Sequence, residues 1–158
     1  MADNRQINEE YAKTGSDLIQ NEEALIDIKN SEVTIVYLSS DLPKTDKGRI
    51  VYGVCEKIAD KYKWGIPADF TITLFEPNIQ GKSDEAIRRI IFHELLHVGI
   101  DADGKYFVKP HDFEDFKLLI DRWGTNYADV DDEPLFEANI DEWEGVLSNG
   151  KRAELATE

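Results

Sequence analysis

Two histidines four residues apart, with a glutamate directly after the first, sit inside an apolar stripe of helical period: His93-Glu94-Leu95-Leu96-His97 among Ile87, Ile90, Ile91, Leu95 and Val98. The stripe predicts a helix that opens at Ser83 as N-cap, carries Asp84 and Glu85 at the positive end of its dipole and closes at Gly99. Residues four apart on such a helix stand one turn above each other on one face. The two imidazoles can then converge on one zinc ion with Glu94 beside them, the residue set of an H-E-x-x-H site. Only three histidines occur in the whole chain, so a chance match to this spacing is rare.

The segments around this helix alternate in character. Residues 8–28 hold Tyr11, Leu18, Ile19, Leu25, Ile26 and Ile28, with Gly15 interrupting, which predicts one or two modest helices. Residues 32–38 are β-branched and bounded by Asn30-Ser31 and Ser39-Ser40, a strand signature, and residues 41–47 with Pro43 read as a loop. Ile50, Val51, Val54, Cys55, Ile58 and Tyr62 follow the helical period. Residues 49–64 are therefore expected to form a core-facing helix, stopped by Gly65-Ile66-Pro67. Residues 69–75 alternate and predict a second strand. Asp101-Ala102-Asp103-Gly104 is turn chemistry, residues 105–109 a short extended stretch, and Phe113, Phe116, Leu119, Ile120 and Trp123 a last helical stripe ended by Gly124. A calcium loop at Asp101 is disfavoured because Lys105 stands where a third acidic ligand belongs. This order of elements is that of an α+β fold.

The 158 residues carry 33 acidic and 18 basic side chains, a net charge of −15. Residues 1–32 hold 8 acids and 3 bases and residues 125–158 hold 10 and 2, so the middle is nearly neutral. Solvated ends around a packed centre are expected: a domain over 1–127 with its core about 33–124, then an acidic extension over 128–158. Binding to a nucleic-acid backbone is disfavoured, since it draws on basic side chains that neutralise phosphates. An acidic interaction protein that engages a basic partner fits the same charge. The single Cys55 excludes an internal disulfide and reads as packing. No apolar run approaches the roughly 18 residues of a membrane span, and the first residues lack the apolar stretch of an export signal, so a cytoplasmic protein is expected.

A catalytic zinc takes three protein ligands and keeps an open fourth position. His111 is the leading third ligand, lying after a turn that lets the chain fold back; Asp101, Asp103, Asp112 or Glu114 would also serve. Taken together, His93-Glu94-Leu95-Leu96-His97-Val98, Asp103-Gly104-Lys105, His111-Asp112-Phe113-Glu114-Asp115-Phe116 and Gly124 resemble the phage metallopeptidase family, which is related to SprT-like zincins. The resemblance covers about residues 8–127. It implies a minimal zincin-like fold, with a small mixed sheet packed on the helix that carries H-E-x-x-H, and a phage or prophage origin with action in the host cytoplasm.

The resemblance further implies one zinc ion on His93, His97 and His111, with Glu94 as general base, in the hydrolysis of a protein or peptide substrate. Zinc would acidify the attacking water and polarise the scissile carbonyl. Tyr106 and Tyr127 are candidates to stabilise the oxyanion, although a tyrosine is more often packing. Asp112 or Glu114 could orient a ligand imidazole. Residues 70–75 would be the strand that pairs with an extended substrate, or else an internal strand of the sheet. The competing reading is a zinc-binding module without turnover.

Overall fold

The computed structural model describes residues 4–111 and 117–123, with the side chains of Lys117 and Ile120 left aside. The chain divides into two units at the Pro110–His111 bond. The first contains β1 (Arg5–Ile7), α1 (Glu9–Asn21), a 3-10 turn at Glu23–Leu25, α2 (Ile26–Lys29), β2 (Ile35–Ser40), β3 (Thr45–Asp46), β4 (Arg49–Ile50) and β5 (Gly53–Lys57). It continues with a 3-10 turn at Asp60–Tyr62, β6 (Phe70–Phe75), α3 (Glu76–Ile79), α4 (Asp84–Leu95), β7 (Val98–Ile100) and β8 (Tyr106–Val108). The fold is mixed α and β, as expected. The second unit contributes α5 (Lys117–Trp123), which buries Leu119 and Trp123.

The main sheet has the order β1-β2-β6-β5. β6 runs parallel to β2 and antiparallel to β5, in the registers Tyr37↔Ile72 and Cys55↔Ile72. Directly opposed residues share a face, so Tyr37, Ile72 and Cys55 lie on one side of the sheet with Phe70, Leu74 and Gly53. Helices α1 and α4 cover that side. Their buried residues Leu18, Ala86, Ile90, Ile91 and Leu95 close the core over Phe70, Ile72 and Leu74, all three fully buried. Burying both faces and both edges of β6 explains its unbroken run of apolar and β-branched residues.

Three expectations need correction. Residues 49–64 are not a helix: they form β4, β5 and a 3-10 turn. The apolar spacing that fits a helix also contains the β-branched Val51 and Val54, which suit a strand, and pairing with β6 decides the matter. The 41–47 loop contains β3, which makes a tight hairpin with β4 across Lys47 and Gly48, both at positive φ. Gly15 does not interrupt α1; the helix runs through it, and the ring of Tyr37 occupies the space that a side chain there would need. No helix among the described residues is long and apolar enough to cross a membrane.

Candidate metal centre

Ser83 opens α4 as the sequence predicts, its hydroxyl accepting the Ala86 N–H at 3.1 Å, with Asp84 and Glu85 in the first turn. Seven of the helix's residues are buried, which fixes its rotation against the sheet and leaves His93 part-buried. The helix ends earlier than expected. Its last residue is Leu95, capped at Leu96, and the His97 N–H reaches back to the Glu94 carbonyl at 3.1 Å. His97 therefore stands on the closing turn, and Gly99 lies within β7 rather than at the cap. The two imidazoles still face one another, with ring centroids 5.2 Å apart and planes at 66°.

β7 and β8 form a hairpin in the register Val98↔Val108 and Ile100↔Tyr106. The 101–104 segment is the turn that closes it. Asp101 Oδ1 accepts the N–H groups of Asp103 and Lys105 at 2.9 and 2.8 Å, and Gly104 takes a φ of 81° that a residue with a side chain resists. Asp101 is thus committed to the turn. The ladder continues one pair further, since Lys109 N–H donates to the His97 carbonyl at 2.6 Å and His97 Nδ1 lies 2.6 Å from the Lys109 carbonyl oxygen. A carbonyl only accepts, so Nδ1 carries the proton, and in the neutral ring Nε2 then keeps its lone pair.

His111 follows two residues beyond Lys109. One nitrogen from each of His93, His97 and His111 lies within 4.8 Å of the others, and no other group of acidic, cysteine or histidine side chains among the described residues converges in this way. Three neutral imidazoles form a donor set suited to zinc and its neighbours in the first transition row, so the residues fit a divalent metal ion. Asp103 is not part of the cluster. Asp112, Glu114 and Tyr127, together with the acidic 128–158 segment, lie outside the described residues.

Glu94 is 5% exposed, with Oε2 3.8 Å from His93 Nε2. Its neighbour on the sheet is Gly53 of β5: a Cβ there would stand 3.3 Å from Glu94 Cγ and 3.1 Å from the Thr73 carbonyl oxygen. The carboxylate occupies space that glycine leaves free. Sequence reading missed this residue because position 53 was placed in a helix. Cys55, two residues along the same face, is buried; desolvation first, and then the negative charge of Glu94, push its thiol far above the usual cysteine range. It is a packing residue, as expected. Tyr106 packs its ring on Phe70 at 5.9 Å, with the Lys63 ammonium over it.

With this geometry in hand, comparison with known proteins is decisive at the family level. The putative phage metallopeptidase family matches residues 4–140. The chain belongs to that family. The match runs beyond the stretch on which the resemblance was read. No curated protein and no solved structure matches the chain.

Proposed function

We propose that this chain is a zinc-dependent hydrolase of peptide bonds in a protein or peptide substrate, acting in the cytoplasm. His93, His97 and His111 would hold one zinc ion, and Glu94 would act as general base in a minimal zincin-like domain related to SprT-like proteins. The convergence of three imidazoles beside a buried carboxylate carries this reading. Zinc, when bound, supplies a Lewis acid that polarises the scissile carbonyl and acidifies the attacking water. Glu94 Oε2 takes a proton from that water and passes it to the departing amine nitrogen. The substrate strand passes from residues 70–75 to β5. β6 lies between β2 and β5, whereas β5 is an outer strand with Gly53 against Glu94. Strand addition at β5 gives main-chain hydrogen bonds that tolerate many side chains.

The test uses the full chain and an unfolded protein substrate such as casein. Glu94→Gln is expected to retain one zinc per chain and to lose hydrolysis at least about 100-fold, whereas His111→Ala is expected to lose most of its zinc. Hydrolysis by Glu94→Gln at the parent rate would overturn the base assignment. Full zinc in His111→Ala would move the third ligand to an acidic residue, and a zinc-loaded parent that cleaves nothing would leave a binding module.

A further inference from the structure

We infer that the β3–β4 hairpin is a specificity element of the substrate edge, selecting protein segments that carry acidic side chains where they pass the start of β5. This rests on the proposed function only for the strand along which the substrate lies. β5 ends the main sheet, so one of its edges is bonded to β6 and the other is paired with no described strand. The Phe75 N–H donates to the Tyr52 carbonyl at 3.0 Å and the Ile58 N–H to the Asp69 carbonyl at 2.8 Å. Bonded pairs alternate along an antiparallel ladder. Tyr52, Val54, Glu56 and Ile58 are therefore bonded to β6, and the main-chain groups of Gly53, Cys55 and Lys57 point to the outer edge. An added strand first finds partners at Gly53, where the Glu94 side chain lies against the backbone.

The chain that leads into Gly53 is basic in a molecule that is acidic. Residues 43–50 are all exposed and hold Lys44, Lys47 and Arg49 against the one acid Asp46, whereas the whole chain has a net charge of −15. Another cation stands at the start of β5, where Lys82 Nζ lies 4.6 Å over the Tyr52 ring. A hairpin of two-residue strands is at best marginally stable alone. This one is braced by Asn78 of α3, whose side-chain amide donates one hydrogen to the Lys44 carbonyl at 2.8 Å and one to the Val51 carbonyl at 2.7 Å. The Val51 N–H also meets the Lys44 carbonyl, at 3.1 Å. Both legs are tied at the base, so the cations ride on a fixed arm. Four residues of chain reach at most about 14 Å, which bounds the distance from Arg49 to Gly53. A segment that follows β5 and continues past Gly53 meets this cluster, where acidic side chains are attracted and basic ones repelled.

The experiment measures binding of two fluorescent peptides, alike except that an extended apolar centre is flanked on both sides by glutamates in one and by lysines in the other. The full chain carries Glu94→Gln so that neither is cleaved, and hydrolysis by the parent is followed in parallel. The acidic peptide is expected to bind about 10-fold more tightly at low salt, and the preference to vanish near about 1 M salt, where exposed charges are screened. Lys44→Glu, Lys47→Glu and Arg49→Glu together are expected to abolish or reverse it. Lys13→Glu, Lys29→Glu and Lys61→Glu, exposed lysines elsewhere that change the net charge equally, are expected to keep most of it. Asn78→Ala leaves every charge in place and is expected to narrow the gap between the two peptides, whereas a merely structural brace would leave their ratio unchanged. Equal binding of the two peptides at low salt overturns the inference, as does an equal loss of preference in the two triple variants. Discrimination by the chain while the parent cleaves neither peptide defeats the proposed function and supports the hairpin's role; a parent that cleaves both with one KM does the reverse.

Discussion

Gly53 and Glu94 together show how a residue without a side chain takes part in a site. The Glu94 side chain packs against the bare backbone of Gly53, where a Cβ would stand 3.3 Å from its Cγ and 3.5 Å from its Oε2. Gly53→Ala places a methyl group 3.1 Å from the Thr73 carbonyl oxygen and 3.3 Å from Glu94 Cγ, so β6 or the Glu94 side chain must shift by a few tenths of an ångström. Overpacking of this kind costs about 1–3 kcal/mol. The expected outcome is a lowered thermal midpoint with zinc stoichiometry retained and hydrolysis reduced more than zinc binding; wild-type hydrolysis would show that the carboxylate has more room than this. Nothing in the local sequence marks Gly53. Its role arises from a partner 41 positions away, whereas Glu94 and its two histidines announce themselves because their spacing within one turn is the signal.

Among the elements, the β5–β6 connection shows how a polar contact anchors a strand start. Asp69 Oδ2 accepts the Thr34 N–H at 2.8 Å, and Oδ1 accepts from Lys63 Nζ at 2.5 Å, so one carboxylate ties the entry of β6 both to the residue preceding β2 and to the 58–69 loop. Burial works to raise the Asp69 carboxyl, but the Lys63 ammonium and the Thr34 N–H outweigh it and hold it below the usual range. A carboxyl lowered in the folded state stabilises above its unfolded value, about 3.9, and loses that contribution as pH falls through its folded value. Asp69→Asn is therefore expected to unfold more readily near neutral pH and to show a shallower loss of stability on the acid side; parallel acid limbs for parent and variant would refute this. The element that the sequence misled about, residues 49–64, lies just upstream. Its apolar spacing satisfied a helix, but β6 would have been left with an open edge, and the ladder with β5 outweighs local period.

For the whole molecule, metal and stability are linked. An ion that binds only the folded chain stabilises it by about 2.7 kcal/mol at one hundred times its dissociation constant. For a chain of 158 residues this corresponds to a rise of roughly 5–10 °C in the thermal midpoint. Zinc is expected to produce that rise in the parent and a smaller one in His97→Ala, with a chelator reversing it; an unchanged midpoint in the parent would argue against the three-histidine centre. The mixed α and β class, the strand at 70–75, the Ser83 start of α4 and the His93–His97 pair with Glu94 were legible in the sequence, the last three because each depends on neighbours within a few positions. The place of β6 inside the sheet, the strand identity of residues 53–57, the early end of α4, the Lys109 carbonyl on His97 and the room that Gly53 makes for Glu94 were decided by tertiary structure alone. Each is a contact between segments distant along the chain, and which segments meet is set by burial of whole faces and pairing of whole edges, quantities that no short window of sequence contains.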